Sequence, residues 1–265
     1  MATAVSNSLP TWDALLTAAH AWQFCPGELR AATVRDRWLS RLSRDERARY
    51  RQLPTEKMRE GYLAGRVLCR ATLSRYTAVD PSRWRFGEDV YGKPTVVAPD
   101  DFKSIRFNLT HTGDLTICIV TRAGEVGVDA EETSQTVDVS TVARHFFSRT
   151  AQARLARLPS RERAARFFEQ WVLKEACVKA LGKGLAYAPE RLTVEQDDRG
   201  EPAANGRFQF SLYRPSSNHV AAAAVLRRHR VAQVSIYWWT VSAESFEAIV
   251  EAQRDTKRTD SVRRS

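Results

Sequence analysis

Between Trp171 and Leu185 the chain reads WVLKEACVKALGKGL. Trp171, Val172, Leu173, Ala176, Cys177, Val178, Ala180 and Leu181 cover most of the circumference of a helix with apolar side chains, so any fold of this chain must bury it. Lys174, Glu175 and Lys179 sit inside that apolar wrapping. An ionised group in such surroundings is costly unless it is paired or faces a ligand. The chain must therefore supply a second surface that accepts both the helix and its charges.

EVGVDAEE, at Glu125 to Glu132, has the pattern of such a surface. In a strand, Val126, Val128 and Ala130 fall on one face and Gly127, Asp129 and Glu131 on the other. Asp129 and Glu131 then stand about 7 Å apart along the strand and repel each other unless a cation lies between them. Gly127 removes bulk from that face and admits a close neighbour. On the helix, Glu175 and Lys179 are i,i+4 neighbours, and Lys174 points about a quarter turn away. A helix packed across the sheet brings Glu175 to Asp129 and Glu131 as a third oxygen ligand. Three carboxylates without histidine or thiolate suit a hard cation, and Mg²⁺ in particular is completed by water and phosphate oxygens. An Asp-x-Glu at a strand end is commonly a solvated turn, and a Glu–Lys pair a surface ion pair. Here the apolar helix leaves no broad solvated face for that pair.

The 265 residues hold 41 Lys and Arg against 31 Asp and Glu, a net charge of +10 that points to an acidic partner. Cys25, Cys69, Cys118 and Cys177 form no close pair; three of them lie in apolar runs and read as reduced, buried thiols. The N-terminus lacks the pattern of a signal peptide, and no apolar run approaches the ~20 residues of a membrane span. A cytoplasmic protein with no membrane contact is expected.

Along the chain, Thr55 to Tyr76 has the spacing of one helix. EDVYGKPTVV reads as a turn before a short strand, and FNLTHTGDLTICIVTRAGEVGVDAEE as three strands with turns at Gly113-Asp114 and Ala123-Gly124. TVARHFFSRTAQARLARL is expected to be helical. A long helix follows Pro159, with Ser160 as its N-cap and Gly182 as its stop. ERLTVEQ, RFQFSLYR, HVAAAAVL and VAQVSIYWWTV carry strand signals. The expected fold is α+β in two similar halves, residues 1–124 and 125–245, followed by a flexible polar tail at 246–265.

These segments resemble the 4′-phosphopantetheinyl transferases of the larger, surfactin-synthetase-activating type. VGVDAEE matches the family pattern Gly-Val/Ile-Asp-x-Glu, and FFEQWVLKEACVKALGKGL the pattern Trp-x-x-Lys-Glu-Ala/Ser-x-x-Lys. YGKP, FNLTHTGD and the FFS at Phe146 to Ser148 match further family segments, so the likeness runs from Arg47 to Leu185. The resemblance implies a pseudo-dimeric fold with the active site between the halves. It implies Mg²⁺-dependent transfer of 4′-phosphopantetheine from coenzyme A to a serine of an apo acyl or peptidyl carrier protein, releasing adenosine 3′,5′-bisphosphate, as in holo-acyl-carrier-protein synthases. By motif, Asp129, Glu131 and Glu175 are metal ligands, with Glu175 and Lys179 catalytic. Lys179 and, beside it, Lys174 meet the coenzyme A phosphates. Lys93, Thr110 and His111 hold the nucleotide end, and Arg49 and Lys57 match the N-terminal contacts loosely.

A monomer with an acidic carrier as partner is implied. Ala151 stands where many relatives carry an acid, which leaves the general base open. A nucleic-acid binder using the basic segments near Arg44 to Arg51 and Arg227 to Arg230 lacks any accompanying recognition motif, so no nucleic-acid partner is expected. A carboxylate-metal nuclease would give no reason for the GKP and NLTH segments.

Overall fold

The computed structural model describes residues 11–134, 138–182, 194, 202, 206, 208–228, 231 and 233–248. Two helix-backed sheets share one plan. The first half runs strand β1 (Ala18–Phe24), helices α1 (Ala32–Arg41), α2 (Arg44–Gln52) and α3 (Glu56–Arg75), the hairpin β2–β3 (Arg85–Glu88, Pro94–Ala98), then β4 (Arg106–Thr112) and β5 (Leu115–Thr121). The second runs β6 (Gly124–Glu132), α4 (Val139–Phe146), α5 (Arg149–Arg157), α6 (Ser160–Leu181), β7 (Phe208–Ser216) and β8 (His219–Arg227), followed by β9 (Ser235–Thr240) and a helical turn at 243–248. The sheet orders are β4-β5-β1-β9 and β6-β8-β7. In each half the last hairpin strand, β5 or β8, lies between the first strand and its hairpin mate, and a long helix crosses the sheet. The expected α+β fold of two similar halves is what forms.

Local chemistry accounts for the helices. Thr55 caps α3 by accepting from the Met58 amide, and Leu63, Ala64, Val67, Leu68 and Ala71 bury one face of that helix. Ser43 and Glu46 form a capping box on α2. Helix α6 ends at Gly182 in the left-handed region, φ 66°. Its start differs from expectation: Pro159 holds the cap position, and Ser160 is the first helical residue. The stretch read as one helical run breaks at Phe147, because Ser148 turns back to cap α5.

Strand β8 explains how the halves join. Ala221, Ala223 and Val225 face the first sheet, and Val220, Ala222 and Ala224 face α6. Small side chains on both faces let helix and sheet close on the same strand. On β6, Val126, Val128 and Ala130 pack into the layer between the sheets, so Gly127, Asp129 and Glu131 take the α6 side, as strand alternation requires.

At the chain ends one strand was not read and two expectations need correction. Strand β1 went unread, because AAHAWQF is buried throughout and shows no alternation. Strand β9 pairs in parallel with β1, so the chain returns to the first half instead of ending in the second. Phe246, assigned to the polar tail, is buried, with its ring 5.0 Å from Phe24 and 5.9 Å from Trp38. Residues 249–265 and the ERLTVEQ segment, Val194 apart, lie outside the described residues. Among the described residues no helix is long and apolar enough to cross a membrane.

Candidate active site

Helix α6 lies backbone to backbone on β6. A Cβ built on Gly127 would fall 2.1 Å from the Ala176 carbonyl oxygen and 2.4 Å from the Ala180 nitrogen, so only glycine permits the contact. Trp171, Glu175 and Lys179, spaced four apart on one helix face, are thereby brought to the Asp129 and Glu131 side of the strand.

Lys179 Nζ donates to Asp129 Oδ1 at 2.6 Å, to the Val128 carbonyl at 3.1 Å and to Thr110 Oγ1 at 3.2 Å. All three ammonium hydrogens are used. Thr110 in turn donates to the same Asp129 Oδ1 at 3.2 Å. The other oxygen, Asp129 Oδ2, is buried without a hydrogen-bond partner among the described residues. Such an atom is expensive to leave unmatched. Glu131 accepts from Trp171 Nε1 at 3.2 Å, and the Trp171 ring is fixed by stacking on Phe167 and by the edge of Phe146.

Burial pushes the Asp129 carboxyl above its ordinary value, more than the Lys179 ammonium draws it down. Burial and then the neighbouring Asp129 charge push Glu131 and Glu175 up as well. Three raised carboxylates thus surround a single lysine, Asp129 raised by burial and the two glutamates by burial and the Asp129 charge. Among the described residues no three acidic, histidine or cysteine side chains converge into a ready-made metal cage. The donor set is all oxygen, and it carries an unmatched buried Asp129 Oδ2. It therefore fits a hard cation whose shell is completed from outside the protein.

The site lies where the sheets meet. Thr110 comes from the first half, and the Asn108 side chain on β4 accepts from the Val128 amide of β6 at 3.0 Å. The sequence-predicted residues divide here. Asp129, Glu131, Glu175, Lys179 and Thr110 come together. His111 does not join them: alternation along β4 turns it to the opposite face, where it is exposed. There it borders two clefts. One, of about 1050 Å³, is lined by Arg44, Arg49, Tyr62, Arg66, Arg85 and His111. The other, of about 1390 Å³, has Lys57, Met58, Asp114, Glu132 and His219 on its walls. Arg49 and Lys57 therefore lie in different clefts.

Two lysines lie apart from this cluster. Lys174, expected beside Lys179, is buried on another face of α6 with its ammonium 5.5 Å from the Phe147 ring centroid. Lys93, expected on nucleotide phosphates, is buried and donates to Glu125 Oε2 and to the Ala180 carbonyl, both at 2.9 Å. Sequence reasoning also missed Trp171 as the partner of Glu131, although its i,i+4,i+8 spacing with Glu175 and Lys179 was visible. It missed Tyr62, Arg66 and Arg85, which are scattered along the chain and meet only in the fold. At Ala151, the first turn of α5 contains no acid.

Both halves match profiles of one family. A profile of the N-terminal domain of 4′-phosphopantetheinyl transferases covers residues 22–123, and one described as the 4′-phosphopantetheinyl transferase superfamily covers 125–234. The chain is 29% identical over 217 residues to the 4′-phosphopantetheinyl transferase HetI of Nostoc sp., across 82% of this chain and 91% of the relative. It is 30% identical to the 4′-phosphopantetheinyl transferase Sfp of Bacillus subtilis, across 63% of this chain and 71% of that one. A phosphopantetheinyl transferase of Thraustochytrium sp. is 30% identical, across 69% of this chain and 70% of the relative. With its motifs joined at the seam between two matched halves, the chain belongs to the 4′-phosphopantetheinyl transferases and is an enzyme of the transferase class.

Proposed function

We propose that the protein transfers 4′-phosphopantetheine from coenzyme A to a serine of an apo acyl or peptidyl carrier protein, with Mg²⁺ held by Asp129, Glu131 and Glu175. The observation that carries this reading is the buried, unmatched Asp129 Oδ2 beside two further carboxylates that its charge and burial raise. When bound, the cation supplies positive charge to pyrophosphate oxygens and to the departing nucleotide.

The remaining work falls to side chains. The arginine-lined cleft of Arg44, Arg49, Arg66 and Arg85, with His111 at its border, takes the phosphorylated nucleotide end of coenzyme A. Lys179 exchanges one of its three internal hydrogen bonds for a phosphate oxygen and neutralises charge on the leaving group. The serine oxygen bonds to the phosphorus that carries pantetheine. The bond from that phosphorus to the bridging oxygen breaks, and adenosine 3′,5′-bisphosphate leaves. Glu175 would divide its two oxygens between the cation and the serine proton, since among the described residues no hydrogen bond ties either one down. His111 is the poorer base, since it faces away from Asp129 across β4. Positioning and charge carry most of the rate.

A net charge of +10 favours an acidic carrier at long range. Cys69, Cys118 and Cys177 are buried and unpaired, in keeping with a reducing cytoplasm. The test is the mass of an apo carrier protein after incubation with the enzyme, coenzyme A and Mg²⁺. A gain of one phosphopantetheine, abolished by chelator, is expected. An unchanged carrier, or full modification in excess chelator, overturns the assignment of the reaction or of the metal.

A further inference from the structure

Helix α6 is held at its C-terminal end by a side chain from the other half of the molecule. The last four carbonyls of a helix lack partners within it. Those of Val178 and Lys179 accept from the Gly182 amide at 3.1 and 3.2 Å. The next, Ala180, accepts from Lys93 Nζ at 2.9 Å. Lys93 stands at the tip of the β2–β3 hairpin, where Asp89 Oδ1 accepts from the Tyr91 and Lys93 amides, each at 2.9 Å, and shapes the turn around Gly92. The tip touches the helix end: a Cβ on Gly182 would lie 3.2 Å from Lys93 Cδ and 3.3 Å from Asp89 Oδ2. The same ammonium pairs with Glu125 at the start of β6, and Glu125 also accepts from Arg106 at 2.7 Å.

We propose that Lys93 is a positioning residue for catalysis, a C-terminal clamp that sets where α6 sits along β6. The clamp binds Ala180, the residue directly after Lys179, and Glu125, on the same strand as Asp129. It therefore spans both partners of the Lys179–Asp129 pair and fixes their separation at 2.6 Å. A cation at a helix C-terminus is also favoured by the helix dipole. The proposal rests on the proposed reaction only where turnover is the readout.

Lys93→Met keeps the buried stem and removes the donor. Assayed below its unfolding transition, this variant is expected to lose kcat about 10²-fold, because small misplacements at a reacting centre are that costly, while the KM for coenzyme A moves less than about 3-fold. Glu125→Gln should show the same split in weaker form, and Lys93→Arg should regain part of the loss. A raised KM with kcat preserved would make Lys93 a phosphate ligand and overturn the proposal. So would a lowered melting temperature with unchanged kcat, which would leave Lys93 merely structural. Amide hydrogen exchange in the last turn of α6, Val178 to Leu181, decides independently of turnover. Faster exchange there in Lys93→Met, with the rest of α6 unchanged, supports the clamp, and unaltered exchange overturns it. If the parent enzyme loads no carrier, the proposed reaction fails while the exchange comparison still stands.

Discussion

Glu125 and Asp129 lie on one strand, four residues apart, and their surroundings treat charge in opposite ways. Glu125 meets Lys93 and Arg106; burial works to raise its carboxyl, but the two cations outweigh it and hold it below the ordinary value. Asp129 meets one lysine and two further carboxylates, and burial leaves it raised. The first cluster is balanced by the protein itself. The second is left short of positive charge at the seam between the halves, as a site does when a cation and a ligand are to complete it. On the proposed reaction, the first cluster holds the fold and the second serves chemistry, and both lie on a single strand.

The largest expected effect separates the two clusters by activity. Asp129→Asn should cut kcat about 10²–10³-fold, the scale of losing one preorganised electrostatic group, without lowering the melting temperature of the metal-free protein. Glu125→Gln should do the reverse in kind, with a smaller loss of turnover and a lower melting temperature. If both variants lose stability alike, the contrast along β6 is wrong.

Next comes the contact that brings the clusters to the helix. Gly127→Ala forces a methyl group onto the Ala176 and Ala180 backbone, where no side chain can give way, and overpacking of this kind costs about 1–3 kcal/mol. Gly65→Ala, in α3 with nothing within 4 Å, should instead stabilise by about 0.5–1 kcal/mol through helix propensity. Urea unfolding of the pair measures both. Equal effects would mean that α6 does not rest on Gly127 as described.

How much of this was legible depended on how local the signal was. Gly127, Asp129 and Glu131 could be assigned to one face because alternation is a property of consecutive residues. The helix containing Glu175 and Lys179 was readable for the same reason. The same alternation, applied to FNLTH, would have separated Thr110 from His111; the family motif groups them, and the strand divides them. Lys93 was unreadable. Its partners Glu125 and Ala180 are distant in sequence, and nothing in GKP says which way an ammonium turns once the hairpin docks. The return of β9 to β1 is likewise a pairing across more than two hundred residues, with no local signature.

Metal addition sharpens the comparison further. Mg²⁺ at about 100 times its Kd should stabilise the enzyme by about 2.7 kcal/mol, which at about 2–4 °C per kcal/mol is a rise of several degrees. Glu131→Gln should lose most of that rise, and Glu125→Gln should keep it. A rise that survives Glu131→Gln, or vanishes with Glu125→Gln, would move the cation to the wrong cluster.

The smallest effect is in the pH dependence of the metal-free protein. Glu125 has a folded value below its ordinary 4.5, so it contributes stability present above pH 4.5 and lost as pH falls through the folded value. Glu175 has a folded value above 4.5, so its contribution is present below pH 4.5 and lost as pH rises through the folded value. The two groups pull the stability curve in opposite directions, Glu125 below pH 4.5 and Glu175 above it. Glu125→Gln should therefore flatten the loss of stability on the acid side. Glu175→Gln should raise stability near neutrality, where the parent carries the repelling charge, and converge with the parent in acid. Urea midpoints for the three proteins, measured from well below pH 4.5 up to neutrality, give the comparison. Curves that run parallel throughout would mean that burial and neighbouring charge act alike on both carboxylates, and the distinction between a balanced and an unbalanced cluster would fall.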